Sequence, residues 1–252
     1  MKNTILFIVI ALCAVTSSAL DTTGFAKKLP ITMSGYAGSS TLTNFPVLVK
    51  LSTTIEGFDY ADFKGASGSD LRFVDSDGNE LPCEIDTWDA SGTSLVWVKI
   101  PALAASTVIT AYYGNSSPAA ALAATNVWSG YVGVWHFGSI SSGVTPDSTA
   151  NGLNMTAYVP ASSTGRVDGV LGTCVLCAPA TGSKSYGFQT ASYAAFGVSN
   201  QVTVSGWVRH LTPSMNGYER VFSSKTSYTS SDGFEMENNN GSTTAWSARG
   251  SA

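Results

Sequence analysis

The sequence has little charge, little histidine and little cysteine. Only 12% of its 252 residues are charged, the formal net charge is -4, and there are two histidines and four cysteines. Lysine and arginine form no cluster, which argues against a surface for nucleic acid or an anionic membrane. Cys174 and Cys177 have the spacing of metal ligands, but the second ligand pair that a zinc site needs is missing. These absences argue against nucleic-acid binding, membrane-surface binding and a zinc centre.

The sequence also has no apolar run of the length that crosses a membrane, about 20 residues. The apolar run Ile5–Val15 is shorter, follows Lys2, and precedes the small residues Ser17 and Ala19. This pattern is typical of a cleaved export signal. We therefore expect residues 1–19 to be removed and the mature protein to be periplasmic, on the cell surface or extracellular, with no membrane insertion beyond the signal segment.

Glycine, serine and threonine are abundant instead of charged residues, and they suit strands and turns better than helices. In the first half, Asp77-Gly78 predicts a tight hairpin turn. The predicted strands are Lys27–Tyr36, Phe45–Leu51, Asp70–Asp75, Glu80–Trp88, Ser94–Ile100 and Val108–Tyr113. This number and spacing of strands predict an antiparallel β-sandwich over residues 25–116.

A boundary follows the first predicted sandwich. Ser117 and Pro118 can begin a short alanine-rich helix, which predicts a linker over residues 117–126. The strands predicted beyond it are Val127–Phe137, Gly152–Tyr158, Gly169–Ala178, Tyr186–Ser192, Gln201–Arg209, Arg220–Ser224, Gly233–Glu237 and Thr243–Ala248. The fold class is therefore all-β, with two tandem antiparallel β-sandwiches, the second over residues 127–252. We expect this second domain to be incomplete, with further strands after Ala252.

The mature chain keeps three cysteines, an odd number. Cys174 and Cys177 fall on one predicted strand, where residues three apart point to opposite faces and lie too far apart for a disulfide. We interpret the thiols as buried and packed like small apolar groups. A bridge from Cys83 to one of the pair stays open, because exported proteins favour disulfides.

Several blocks of the first half occur together in a known family. The blocks are LTNFPVLVKL (Leu42–Leu51), GSDLRFVDSDGNELPCEIDTWD (Gly68–Asp89), SLVWVKIP (Ser94–Pro101) and ITAYYGN (Ile109–Asn115). In this order they resemble the bacterial DUF2341 domain. The resemblance implies an exported multidomain protein but no catalytic residues. In some members the domain precedes a concanavalin A-like module and a membrane segment similar to the MotA/TolQ/ExbB proton-channel family.

The second half resembles a laminin-G-like, concanavalin A-like jelly roll. The matching blocks are GYVGVWHFG (Gly130–Gly138), PDSTANGLN (Pro146–Asn154), VTVSGWVRH (Val202–His210), VFSSK (Val221–Lys225) and GFEMENNNG (Gly233–Gly241). The resemblance implies a calcium site in some relatives, and Asp147 with Asn151 in one loop is the metal candidate here. Turn residues that bond their own backbone are the alternative. Cys177-Ala-Pro179 stands where the family often has Asp-Gly, which weakens the calcium site.

Exposed aromatic residues can stack on sugar rings, and six tryptophans are present. Trp88 ends a predicted strand beside Asp89, so this pair is the candidate for ligand binding. Trp97 and Trp207 lie in the middle of predicted strands among aliphatic residues, which predicts that they pack in the core. No cofactor is expected, with calcium left open.

Glu235 and Glu237 share one face of a predicted strand, as the paired carboxylates of retaining glucanases do. The glucanase pattern Glu-x-Asp-x-x-Glu is missing, which favours a solvated strand face. The leading hypothesis is therefore a non-catalytic exported module that binds carbohydrate or another surface ligand. The alternatives are an extracytoplasmic scaffold of a larger ExbB/TolQ-like transport protein and, less favoured, a glucanase-type glycoside hydrolase.

Overall fold

A computed structural model describes residues 19–157, 164–177, 187–190, 202–209, 220–224, 234–238 and 246–250. The expected signal segment falls on residues 1–18, outside this part of the chain, and on Ala19. The chain divides into two compact units, Met1–Ser129 and Gly130–Ala252. The strand pairs are antiparallel, and the all-β prediction is confirmed.

The first unit is built from two sheets. Its strands are β1 (Lys27–Thr32), β2 (Leu42–Ser52), β3 (Arg72–Val74), β4 (Glu80–Leu81), β5 (Cys83–Thr87), β6 (Thr93–Leu103) and β7 (Val108–Tyr113). One sheet has the order β1-β7-β3-β4 and the other β2-β6-β5. Short 3-10 helices at Tyr60–Asp62 and Ala66–Gly68 lie between β2 and β3.

The core of the first unit lies between these sheets. Alternate residues of each strand point to one side, so Val96 and Val98 of β6 are fully buried while Trp97 between them is half-buried. The buried cluster consists of Met33, Val49, Leu51, Phe58, Leu71, Phe73, Leu81, Val96, Val98, Ile100, Leu103, Ile109, Ala111 and Tyr113. Both sheets contribute to it, as in a β-sandwich.

Pro82 is the residue at which the chain changes sheets. The predicted single strand Glu80–Trp88 is in fact two strands, β4 in one sheet and β5 in the other. Proline has no N–H to donate to a ladder, and its carbonyl accepts a hydrogen bond from Lys99 N at 3.0 Å. The prediction of one strand over Glu80–Trp88 therefore missed a corner of the sandwich at Pro82.

Asp70 joins two loops at one end of the first unit. Its carboxylate, only 1% exposed, accepts hydrogen bonds from the backbone N–H groups of Lys64, Gly65, Gly114 and Asn115 at 2.8–3.1 Å. Burial alone raises the pKa of Asp70, but the N–H donors outweigh it and hold the pKa below its usual value of 3.8. The buried charge is thus satisfied by backbone groups alone.

The predicted alanine-rich helix is absent from this described region. Residues 117–123 have no regular structure and a 3-10 helix follows at Ala124–Trp128. We call residues 117–128 the docked segment, because Val127 and Trp128 are buried. Within the first unit, this stretch is exposed over most of its length and is buried at its end, at Val127 and Trp128.

Arg72 and Glu80 hold the beginning of the docked segment. The Arg72 guanidinium donates to the carbonyls of Ser69 and Leu71 and, at 2.6 Å, to that of Ala119. Arg72 Nε lies 3.5 Å from Glu80 Oε1, and both side chains are mostly buried. Each charge of this pair therefore has a partner, as a buried charge requires.

The second unit is described as three small sheets. Its strands are β8 (Val144–Thr145), β9 (Met155–Ala157), β10 (Thr164–Asp168), β11 (Thr173–Cys177), β12 (Phe188–Thr190), β13 (Arg220–Ser223), β14 (Phe234–Asn238) and β15 (Trp246–Gly250). They form the sheets β12-β9-β8, β10-β11 and β13-β14-β15.

Two strand predictions in the second half are wrong. Residues 129–137 form no strand, and the preceding 3-10 helix ends at Trp128. Residues 202–209 have no regular secondary structure, and Trp207 is 74% exposed. The prediction that Trp207 packs in the core is therefore wrong for this structure.

Asp70→Asn is expected to destabilise the first unit by about 2–3 kcal/mol, because an amide nitrogen would face backbone donors in a buried site. Urea unfolding of the protein measures the change. Asp77→Asn is the matched control, since Asp77 is exposed in the hairpin turn. Equal stability of the two variants would contradict the role given to Asp70.

The lowered pKa of Asp70 also predicts an acid-dependent loss of stability. A carboxylate whose pKa is lower in the folded state stabilises the fold fully above its unfolded-state pKa, near 4. This stabilisation is lost as the pH falls through the folded-state pKa. Wild type is therefore expected to lose more unfolding free energy than Asp70→Asn between about pH 5 and pH 2. Parallel pH profiles of the two proteins would contradict this.

Candidate functional site

An aromatic cluster lies at the same end of the first unit as Asp70. The rings of Phe63 and Tyr113 stack at 4.6 Å, and Phe58 packs against both. Trp88 meets Phe63 edge to face at 4.9 Å and Tyr60 at 5.2 Å. The cluster extends the core outward and holds the Trp88 ring in a fixed position.

Trp88 is half-buried and rests on a glycine. A Cβ on Gly68 would lie 2.3 Å from the Trp88 ring, and Gly68 has a positive φ of 74°. Its neighbour Ser67 is exposed and also has a positive φ, 53°, which is uncommon for serine and marks local strain. A loop of strained backbone thus supports one side of a tryptophan that stays partly open to solvent.

Asp89 is fixed beside Trp88 by its own turn. Its Oδ1 accepts hydrogen bonds from Ser91 Oγ at 2.7 Å and Ser91 N at 2.9 Å. The Ser91 hydroxyl, followed by its N–H, lowers the pKa of Asp89, so the side chain is ionised at neutral pH. The backbone N–H of Asp89 donates to Ser94 Oγ, which also bonds the Tyr60 hydroxyl.

The two residues of the predicted ligand-binding pair are thus consecutive in the chain, a half-buried indole held by other rings and a carboxylate bonded within its own turn. We call this arrangement, with Ser67, the end surface. Stacking on an indole together with hydrogen bonds to a carboxylate is a common way to hold a sugar. Ligand binding at Trp88 and Asp89 stays a prediction.

Asp147 organises a loop in the second unit. Its two carboxylate oxygens accept four hydrogen bonds, from Val134 N, Thr149 N, Thr149 Oγ1 and Leu153 N, at 2.7–3.0 Å. Burial raises the pKa of Asp147, but these donors outweigh it and lower the pKa overall. A cation on this carboxylate would have to compete with all four donors.

Asn151, the second predicted metal ligand, uses its side-chain nitrogen in the same loop. Its Nδ2 donates to the carbonyls of Val132 at 2.9 Å and Tyr131 at 3.3 Å. The arrangement matches the alternative of a side-chain-bonded turn. Among the residues that the structure describes, no three His, Cys, Asp or Glu side chains are grouped as metal ligands. The calcium site stays a prediction.

Cys83, Cys174 and Cys177 are free thiols. Cys83 packs against the core, and burial raises its pKa to about 11, so it is protonated at neutral pH. This agrees with a thiol packed like a small apolar group. Cys177 is exposed, so that interpretation is wrong for Cys177.

The predicted carboxylate pair lies on β14. Glu235 is buried, which is contrary to the solvated face expected for it. In register, Glu235 pairs with Ser223 and Arg249, and Glu237 pairs with Arg220 and Ser247. In the register of the sheet, each acidic position is thus opposite one arginine position.

Sequence reasoning missed one aromatic pair in the first unit. Trp97 was predicted in the core, but it lies on the outer side of β6 and meets Trp128 edge to face at 5.2 Å. Successive side chains of a strand point to opposite faces, so core positions for Val96 and Val98 could have indicated that Trp97 lies on the outer face. The aliphatic neighbours of Trp97 favoured a core position instead.

Gly68→Ala is expected to displace Trp88 and to destabilise the unit, because the new methyl group would overlap the indole and the backbone φ is positive. Gly57→Ala is the matched control, since Gly57 has a φ of 76° but open space around it. Gly68→Ala should cost more unfolding free energy than Gly57→Ala and alter tryptophan fluorescence. Equal effects would mean that Trp88 does not rest on Gly68.

Within the described residues, no helix has the length and apolar character needed to span a bilayer. Comparison with curated proteins and with solved structures found no significant match. No family match supports the predicted laminin-G-like, concanavalin A-like domain in the second half. Residues 67–143, which include Ser67, Trp88, Asp89 and the docked segment, match the family model described as "Domain of unknown function (DUF2341)".

Proposed function

We propose that this chain is an exported, non-catalytic module that binds carbohydrate or another surface ligand in the periplasm or at the cell surface. The single observation that carries the proposal is the end surface, where a supported, half-buried Trp88 lies beside the ionised Asp89. The signal pattern in residues 1–19 supports export.

The position of these residues favours binding. Loops at the end of a β-sandwich are held by a rigid scaffold and commonly carry binding sites. Trp88 is fixed by Tyr60, Phe63 and Gly68, so little side-chain freedom would be lost when a ligand stacks on it. A Trp88 ring that is already held in place can therefore stack on a ligand at little entropic cost.

The chemistry of the end surface suits a hydroxyl-rich ligand. The apolar side of a sugar ring can cover the indole of Trp88, while its hydroxyl groups donate to the Asp89 carboxylate and exchange hydrogen bonds with Ser67. We further propose that residues 127–252 are a laminin-G-like, concanavalin A-like module, on the resemblance of its sequence blocks. Calcium at Asp147 and Asn151 belongs to that proposal.

A glycan array probed with the mature protein, with and without calcium, tests the function. Wild type should bind a subset of glycans, and Trp88→Ala should weaken binding about tenfold or more through loss of stacking. Asp89→Asn should weaken it less, because an amide keeps one acceptor. Asp77→Asn, an exposed acidic residue of another turn, is the control and should bind like wild type.

Because the pKa of Asp89 is lowered, binding should be constant from about pH 8 to pH 5 and should fall only as the pH passes below the usual range of a carboxylic acid. Surface plasmon resonance over this range measures it. Absence of glycan binding by the mature protein, or wild-type binding by Trp88→Ala, would contradict the proposal.

A further inference from the structure

The first residues that the structure describes lie on the hairpin turn between β3 and β4. Ala19 forms an isolated antiparallel bridge with Asn79, and the backbone N–H of Leu20 donates to the Gly78 carbonyl at 3.0 Å. The bond between Ala19 and Leu20 is also the bond at which the signal pattern predicts cleavage. The predicted cleavage point therefore lies directly against the first unit.

The turn leaves the Gly78 carbonyl available to a donor from outside. Asp75 N donates to Asn79 O at 3.0 Å, and Gly78 N donates to Asp75 O at 3.1 Å. The Asp75 carboxylate accepts three further hydrogen bonds, from Asp77 N, Asn79 N and Asn79 Nδ2, at 2.9–3.0 Å. None of these bonds uses the Gly78 carbonyl. The turn thus presents one acceptor, held in a frame of hydrogen bonds, to Leu20 N.

Contacts later in the N-terminal segment do not depend on the signal residues. The Asp21 carboxylate accepts from Thr23 N at 3.0 Å and from Thr23 Oγ1 at 2.7 Å, which closes a local turn. The Phe25 ring meets Tyr112 of β7 edge to face at 6.0 Å. Because residues 1–19 take no part in these contacts, the contacts remain when the signal segment is removed.

Cleavage changes the chemistry of the donor at the turn. Hydrolysis of the Ala19–Leu20 bond adds one water molecule and leaves a carboxylate on Ala19 and a primary ammonium on Leu20. A neutral amide with one N–H thus becomes a cation with three N–H donors. A hydrogen bond from a charged donor is shorter and about twice as strong as one between neutral groups. Removal of the signal segment therefore strengthens the bond to the Gly78 carbonyl.

The charged groups around the turn are acidic or already paired. Asp75 and Asp77 belong to the turn itself, and the Asp77 side chain is exposed. Arg72 and Glu80, on the two strands that the turn connects, pair with each other. The Asp21 carboxylate of the N-terminal segment bonds within that segment. Of these groups, the acidic ones favour an ammonium at the turn, and the one cation is engaged by its own partner.

We propose that the turn Asp75–Asn79 is the binding site for the mature N-terminus, in which the Leu20 ammonium formed by signal cleavage donates to the Gly78 carbonyl. Asp75 is the positioning residue that shapes the turn. The inference rests on the export part of the proposed function, and it does not require ligand binding at Trp88.

The first measurement identifies the new N-terminus. N-terminal sequencing of the protein exported by a bacterial host should give Leu20 as the first residue. Any other first residue would overturn the inference, because the ammonium would then not lie on Leu20. Retention of the uncut chain in the cell would overturn the inference together with the export part of the proposed function. The glycan array, read on the same protein, shows separately whether ligand binding stands.

The second measurement compares two forms of residues 20–252, one with a free Leu20 amine and one with an Nα-acetyl group that keeps the neutral amide of the uncut chain. Titration of the Leu20 Cα NMR resonance should give an ammonium pKa above the usual value of about 8, since the bond to Gly78 favours the charged form. A raised folded-state pKa contributes stability that is complete below the unfolded-state pKa and is lost as the pH rises through the folded-state pKa. The urea midpoint of the free-amine form should therefore fall more than that of the acetylated form between about pH 7 and pH 10.

Asp75→Asn tests the turn, because an amide nitrogen would face the N–H donors of Asp77 and Asn79 and loosen the frame. The Leu20 pKa should return toward about 8, and the two forms should become more alike. Glu56→Gln removes an exposed carboxylate outside the turn and is the matched control, which should retain the difference. In wild type, a Leu20 pKa of about 8 or lower, or parallel pH profiles of the two forms, would overturn the proposal, as would an undiminished difference in Asp75→Asn. The wild-type comparison decides the matter even where Asp75→Asn fails to fold.

Discussion

The hydrogen bonds of a single buried carboxylate hold together the end of the first unit on which the candidate site is built. Asp70 binds the backbone of Lys64 and Gly65 on one side and of Gly114 and Asn115 on the other. The first of these loops leads through Ser67 and Gly68 to the support of Trp88. The local fold therefore depends on the hydrogen bonds to the Asp70 carboxylate, and these are strong because water is excluded from around the charge.

Two further features organise the first unit, the corner at Pro82 and the docked segment. Pro82 ends the ladder of one sheet and lets β5 begin the other, so Glu80 and Glu84 fall on opposite sides of the corner. Glu80 pairs with Arg72, and Glu84 accepts from Trp128. Residues 117–128 are thereby attached to the first unit near both ends, at Ala119 and at Trp128, while most residues between them are exposed.

The sequence predicted the strands of the first unit well, because alternation and turn residues act locally. It could not show that Pro82 divides one predicted strand between two sheets, or that Ala119 accepts from Arg72 in place of a helix over residues 117–123, since both depend on contacts distant in sequence. Trp88 and Asp89 were singled out from their place at a strand end, and their role in binding stays a prediction. The outward position of Trp97 was not predicted, because the sequence of a strand with the core on one side and an aromatic partner on the other resembles that of a strand buried on both sides.

The docked segment determines how the first unit would carry a mechanical load. The strand β7 ends at Tyr113, yet the segment up to Trp128 stays attached through Ala119, Val127 and the indole of Trp128. Tension applied from residue 130 would meet the Trp128 contacts first and reach β7 only after the Arg72 bonds had broken. Under such tension the docked segment would detach before the hydrogen bonds between the strands of the two sheets are loaded.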